Sequence, residues 1–284
     1  MVDAAKELIE THFSELRWEC PNFRLAFREK EAVATGLLEF CVADDEERVV
    51  HRYHVSMCIS ENYPRDLPSV IEFDGKVPRN FHTNPTGELC LGVVSDLWLC
   101  LDGKLTLSRF VKRCVIPFFI SLQQKQQMGT MTQGERSHGD KGIAEFFEDY
   151  FAYKAPEKLQ RILGAILHDL LNPMASCPCG CGKIYEECCK TKVDLLLGCC
   201  PHDVIHEDIR RFFYFKINGK TALEHFIATH VFYGSVGMAM LAEMPRPCSR
   251  SPTEWKKLLE KPNQRTKRTP DGEAKTERMR FAVC

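Results

Sequence analysis

Two groups of residues have the types and spacing to do chemistry. The first lies in YPRDLPSVIEFDGKVPRNFHTNPTGELCLGVVSDLW, Tyr63 to Trp98, where Cys90 follows a Gly-Glu-Leu turn, eight residues after His82 and eight before Trp98. A structural thiol needs no such surroundings, whereas a nucleophile does, because the reactive form is the thiolate and its reactivity is set by its neighbours. The second is CPCGCGKIYEECCK, which gives Cys177-x-Cys179, eight residues, then Cys188-Cys189. Two close pairs of thiolates separated by a short loop can close a tetrahedron around zinc, and Gly180 and Gly182 permit the sharp turn this requires.

The elements that must position these groups are read from pattern. Ala4 to Trp18 carries Leu8, Ile9, Phe13 and Leu16 at helical spacing, which predicts an amphipathic helix. Three strand-like runs follow, Phe23–Arg28, Gly36–Val42 and Val49–Ser60, the third partly alternating and preceded by a turn at Asp44-Asp45. Ser69–Phe73 reads as a short fourth strand entered through Pro64 and Pro68, residues suited to an edge or entry loop. Leu105–Gln127 has helical spacing with Pro117 as a kink or break. A polar loop spans Gln126–Gly142, then Ile143–Tyr153 and Lys158–Leu171 read as helices, the second ended by Pro173. Beyond the cysteines, Phe212–Ile217 reads as a strand and Thr221–Val231 as a helix.

Bulk composition narrows the function classes. The 284 residues are 44% apolar and 27% charged, with a net charge of -1. That size favours two domains, and that charge gives no general pull toward nucleic acid or anionic membrane. No apolar run reaches the length of a membrane span, and the opening MVDAAKELIETHFSEL lacks the basic-then-apolar order of a secretory signal. A cytoplasmic chain is expected. Seven of the 15 cysteines fall between Cys177 and Cys200, and clustering in a cytosolic chain points to metal or catalysis rather than disulfides. The scattered cysteines read mostly as small core hydrophobes. Cys199, Cys200, His202 and His206 could be spaced for a second metal, but a structural role is favoured for them. The segment from Arg246 to Cys284 holds 11 Lys/Arg against 5 Asp/Glu, which predicts disorder.

The cysteine segment resembles the SEC-C zinc motif over about fourteen residues, with Cys-Pro-Cys-Gly, Gly-Lys and Cys-Cys in register. The resemblance implies a structural Zn2+ held by Cys177, Cys179, Cys188 and Cys189, with no position open for water. The sequence departs from the motif at Cys181, where the family has serine, and this leaves an alternate fifth thiol within reach.

The first 155 residues resemble the ubiquitin-conjugating enzymes. The resemblance rests on the amino-terminal helix, the four-strand meander, Tyr63-Pro64 with Pro68 and Val70, and Gly87-Glu88-Leu89-Cys90-Leu91. Trp98 and the helix start Leu105-Thr106-Leu107-Ser108 complete it. The family's His-Pro-Asn tripeptide is replaced by Asn80-Phe81-His82, a version similar to bacterial relatives, and three extra residues separate Trp98 from the helix start. The resemblance implies that Cys90 accepts an activated carboxyl-terminal acyl group as a thioester and passes it to an amine. His82 would then donate a ring N–H to the oxyanion or serve as base on the amine, with Asn80 and Asn84 as rival donors. A structural role for His82, capping the turn or packing on Trp98, stands beside this.

The expected fold class is therefore α+β: a ubiquitin-conjugating-enzyme fold over 1–155, a connecting helix over 156–172 and a SEC-C-type zinc module over 173–195. A small α/β extension over 196–245 and a basic tail over 246–284 complete the chain. The expected function is a cysteine-dependent acyl carrier in a bacterial ubiquitin-like conjugation system of antiviral defence. Its expected partners are an adenylating enzyme, a ubiquitin-like modifier and a protein target, with no membrane and no nucleic acid. The alternatives are a non-catalytic adaptor of the same fold and a cysteine hydrolase using Cys90 and His82.

Overall fold

The computed structural model of the chain describes residues 3–43, 48–129, 136–153 and 155–216. The described residues form two compact units, one from 3–90 and 106–129, the other from 91–105 and 136–216. The protein is α+β, with a four-stranded antiparallel sheet and several helices.

In the first unit, helix α1 (Asp3–Glu19) buries Ile9, Phe13 and Leu16 of the predicted stripe, while Leu8 is half-buried. The sheet follows in simple meander order: β1 (Arg24–Phe27), β2 (Glu31–Ala43), β3 (Arg48–Ser60) and β4 (Ser69–Glu72). β2 and β3 pair over thirteen residues, from Glu31 opposite Ser60 to Ala43 opposite Arg48. β2 thus begins five residues before the expected Gly36, because that glycine does not interrupt the strand. It marks a close approach: a Cβ there would lie 2.6 Å from the Cα of Phe23. The expected turn at Asp44-Asp45 lies outside the described residues.

Thr106 accepts a hydrogen bond from the Arg109 amide at 3.2 Å and caps α3 (Leu107–Phe110). The helix passes through a π turn (Val111–Val115) into α4 (Ile116–Met128). Pro117, expected to kink or break the helix, lies in the first turn of α4, directly after the π turn. Local widening accommodates the missing N–H, and the helix continues. Phe119 stacks on Tyr53 at 3.9 Å, with Phe40 alongside at 6.5 Å, so α4 covers the sheet face formed by β2 and β3. Glu19, the last residue of α1, accepts from Ser108 Oγ at 2.7 Å and pairs with Lys112.

The second unit is helical. It contains α2 (Val94–Cys100), α5 (Gly139–Phe151), α6 (Pro156–Leu167), α7 (Lys190–Cys199) and α8 (His202–Lys216). α2 and α7 lack a clear sequence signal and were not expected. The polar loop predicted over 126–142 is partly helical, since α4 runs to Met128 and α5 begins at Gly139. α6 stops at Leu167, with Asp169 at φ +51, six residues before the Pro173 expected to end it.

The strand expected over Phe212–Ile217 is instead the last turn of α8. Ile205, Ile209 and Phe212 are buried at 4- and 3-residue spacing while Tyr214 is exposed, a helical rather than alternating pattern. Ile217, the helix expected at Thr221–Val231 and the basic tail lie outside the described residues.

α8 packs against α2, α5 and α6. Its Asp208, 3% exposed, accepts from both the Oγ (2.6 Å) and the amide (3.2 Å) of Ser95 in the first turn of α2. Burial raises the Asp208 pKa above the ordinary carboxylate value, against the opposing Ser95 hydrogen bonds. The folded state therefore binds the proton more tightly than the unfolded chain, and stability falls as pH rises from about 4 through the raised value. Asp208→Asn, which keeps one acceptor oxygen, is expected to remove this slope. Asp208→Ala, which strands the Ser95 donors, should cost about 1–3 kcal/mol. Chemical denaturation of the three proteins at several pH values between 4 and 8 checks both outcomes.

Candidate functional site

Cys90 is reached through a hairpin fastened to the sheet. The Leu89 amide donates to the Val70 carbonyl of β4 at 2.8 Å, and Glu88 bridges antiparallel to Ile71. The chain turns over Asn84-Pro85-Thr86-Gly87, where the Gly87 amide donates to the Asn84 carbonyl at 2.8 Å. Asparagine first, proline second and glycine fourth is a type I turn signature, and Gly87 sits at φ +88. Beyond the turn, the Asn84 amide donates to the Glu88 carbonyl at 2.8 Å, and Thr83 bridges antiparallel to Leu89. The Cys90 amide then donates to the His82 carbonyl at 2.7 Å.

This register puts His82 beside Cys90, with a ring nitrogen and the thiol sulfur within 4.8 Å of one another. Both side chains are half-buried. His82 adopts φ +38, a left-handed conformation uncommon for histidine. It is held there from both sides. Phe81, 4% exposed, packs edge-on against the His82 ring and against Phe118 of α4, and the Thr83 hydroxyl donates to the Phe81 carbonyl at 2.8 Å. Glu88, buried within the same hairpin, has its pKa raised by burial, against the hydrogen bond from Thr86.

The rival donors are placed differently. Asn80 is exposed in the turn closed by the Phe81 amide and the Pro78 carbonyl, and Asn84 is exposed with its backbone committed to the hairpin turn. Tyr63 is buried, and its hydroxyl shares a 2.7 Å hydrogen bond with His12 Nδ1 of α1, so this aromatic residue serves the scaffold. In the second unit, Trp98 is buried in α2, and Asp96 faces Arg136 at 3.5 Å. Burial raises the Asp96 pKa despite that guanidinium.

The cysteine cluster is a compact turn followed by a helix start. Ser176 bridges Ile184, and the Cys177 amide donates to the Lys183 carbonyl at 2.8 Å, so Cys179 and Cys181 project from the tip of a short hairpin. Gly180 at φ +76 and Gly182 at φ +84 shape that tip, as anticipated from the sequence. Cys188 and Cys189 lie at the start of α7, with Cys189 as its N-cap. The helix N-terminus favours negative charge there.

The sulfurs of Cys177, Cys179, Cys188 and Cys189 all lie within 4.8 Å of one another, close enough to hold a metal ion. Cys179 and Cys188 are 3.6 Å apart, and Cys188 and Cys189 3.7 Å. A tetrahedral Zn–S bond of about 2.3 Å implies a sulfur–sulfur edge of about 3.8 Å, so the donor set fits that ion in type and size.

Hydrogen bonding and burial shift the cluster thiols in opposite directions. Burial opposes ionisation of Cys179, but hydrogen bonds from Tyr153, Cys177 and Cys181 outweigh it and bring the thiol down to about 6. Burial and the neighbouring Cys177 push Cys189 up to about 12, and burial with adjacent thiols raises Cys188 as well.

Tyr153 is the participant that sequence reasoning missed. Its hydroxyl lies 3.0 Å from Cys189 Sγ, yet it stands more than twenty residues before the motif, with no local signal to mark it. Cys199, Cys200, His202 and His206 do not gather a ligand set among the described residues. Cys200 Sγ instead donates to the Ser95 carbonyl at 3.3 Å, and His202 and His206 pack ring on ring at 3.9 Å. Among the described residues, no helix is long and apolar enough to cross a membrane.

A scan against protein-family models and a search of curated proteins each found no match to the chain.

If Tyr153 supports a ligating thiolate, Tyr153→Phe should weaken zinc affinity by about tenfold, in the range typical of partners to metal ligands. Cys179→Ser should abolish tight binding. Competition against a chromogenic chelator measures both.

Proposed function

We propose that the chain is a thioester carrier of the ubiquitin-conjugating type, with Cys90 as acceptor and a structural zinc held by Cys177, Cys179, Cys188 and Cys189. The observation that carries the reading is the hairpin from His82 to Cys90, which brings a half-buried thiol and an imidazole side by side on a rigid edge of the sheet. The helix-then-meander order of the first unit also supports it, as does the Thr106-capped helix that follows.

In the proposed reaction the Cys90 thiolate attacks an activated carboxyl-terminal carbonyl delivered by an adenylating partner. A carbon–sulfur bond forms, and adenylate or the partner's own thiol leaves. A target amine then attacks the thioester, loses its proton and expels the Cys90 thiolate. In each step negative charge develops on the carbonyl oxygen, and a positioned N–H there is worth roughly 3–4 kcal/mol. His82 is the residue beside Cys90 that can donate such a bond or accept the amine's proton. The acyl group comes from a ubiquitin-like modifier and the amine from a protein target, in the manner of a bacterial antiviral conjugation system.

When bound, zinc supplies cross-linking energy rather than chemistry, because four protein thiolates leave no position for water. Such a site contributes about 10–16 kcal/mol of apparent binding free energy to folding.

The test is intact-mass measurement, under non-reducing conditions, of the chain mixed with its adenylating partner, modifier and ATP. A modifier adduct removed by thiol reductant and absent in Cys90→Ala is expected. His82→Ala should still load but discharge to an amine about 100-fold more slowly. A chain left unmodified by an active partner overturns the reading in favour of the adaptor. Release of free modifier without amine transfer favours the hydrolase.

A further inference from the structure

The fifth thiol of the cluster has no place in a four-ligand site, and its position gives it a different chemistry. Cys181 is exposed at the hairpin tip, whereas Cys177, Cys179 and Cys189 are 4%, 1% and 3% exposed. Its sulfur lies 3.3 Å from Cys188 Sγ, closer than Cys188 stands to either Cys179 (3.6 Å) or Cys189 (3.7 Å). The approach is set by the backbone, because Gly180 and Gly182 flank Cys181 in left-handed conformations that fold the tip back toward the start of α7. The Arg161 guanidinium lies against this tip, since a Cβ on Gly180 would meet its Nη1 at 2.7 Å.

Two consequences follow from this arrangement. Cys181 is the cluster thiol most open to a small oxidant, and the sulfur it would capture belongs to one of the four cysteines proposed to hold the metal. Disulfide formation needs the two sulfurs to close from 3.3 Å to about 2.05 Å. The loop between Cys181 and Cys188, seven residues apart in sequence, would not have to unfold for this, because the tip already faces Cys188. Oxidation between Cys188 and Cys189 is the poorer route, because it joins adjacent residues in a strained ring.

We propose that Cys181 and Cys188 form an oxidation site whose disulfide withdraws one ligand from the metal centre in response to a peroxide. The Cys181 thiolate attacks one oxygen of the peroxide, the O–O bond breaks, and a sulfenic acid forms with release of hydroxide. The Cys188 sulfur then displaces hydroxide from that sulfenic sulfur to form the disulfide. Overall, two thiols and one hydrogen peroxide give one disulfide and two waters, with the peroxide oxygen reduced. Cys177, Cys179 and Cys189 would remain as three donors in place of four, and metal affinity would fall. A thiol reductant restores the pair. The effect on the metal rests on the zinc reading above, whereas the disulfide itself does not.

The experiment treats the full-length chain with a few equivalents of hydrogen peroxide after its zinc content has been measured by elemental analysis. Released zinc is followed with a chromogenic chelator, and disulfides are mapped by mass spectrometry of a non-reducing digest. The expected product is a Cys181–Cys188 disulfide with release of zinc, both reversed by reductant. Cys181→Ser should retain zinc and release it about tenfold more slowly under the same oxidant. Cross-links confined to other cysteine pairs overturn the proposal, as does equally fast release from Cys181→Ser. A chain that carries no zinc would sink the zinc reading alone, and the disulfide map would still decide the oxidation site.

Discussion

One main-chain hydrogen bond, from the Leu89 amide to the Val70 carbonyl, fastens the Cys90 segment to the edge of the sheet. Strand pairing has a period of two, so this single register fixes which side chains fall on which face. With Leu89 held on β4, the turn at Asn84–Gly87 can close only with His82 opposite Cys90. The positive φ of His82 is then a cost accepted by the surrounding packing, chiefly Phe81 wedged between the His82 ring and Phe118. Strain held in this way over-determines a side-chain position, which is what a reacting pair requires. The same pairing protects the short edge strand β4 from open exposure.

The cysteine centre is built on a different principle. The first unit has its sheet and the aromatic contacts of Phe40, Tyr53 and Phe119. The hairpin that carries Cys177 and Cys179 has only a few backbone bonds, and much of its tip is exposed. Its sulfurs converge because the glycine turn, the start of α7 and the Tyr153 hydroxyl aim them at a common point. Packed this closely, the thiols shift in opposite directions, Cys179 down through its hydrogen bonds and Cys189 up chiefly through burial.

Much of this was legible in the sequence, and the successes and failures have separate causes. The four strands and α1 follow apolar periodicity, a local signal that tertiary packing reinforced. The Asn-Pro-Thr-Gly turn and the Cys-x-Cys glycines announce their conformations through residues that few other backbones would suit. The failures are of another kind. Gly36 looks like a strand boundary, and only the crossing of Phe23 over it shows why glycine stands inside β2. The Phe-Phe-Tyr-Phe run of α8 satisfies a strand pattern as well as a helix pattern. Ile209 and Ile205, one and two turns earlier and buried with Phe212, make the segment helical. α2 was hidden because its N-terminus is held by Asp208, more than a hundred residues away, rather than by a capping residue of its own. Tyr153 was invisible for the same reason, since its role exists only across the fold.

The π turn before α4 has a mechanical meaning. One extra residue in a single turn rotates everything after it by about 100° around the helix axis. Phe118 and Phe119 are neighbours in sequence, yet Phe119 enters the sheet core against Tyr53 while Phe118 reaches Phe81, next to His82. The phase set by five residues, Val111 to Val115, therefore decides that one helix grips both the sheet and the loop at the candidate site. A helix without that offset could keep its length and composition and still present the wrong pair of faces.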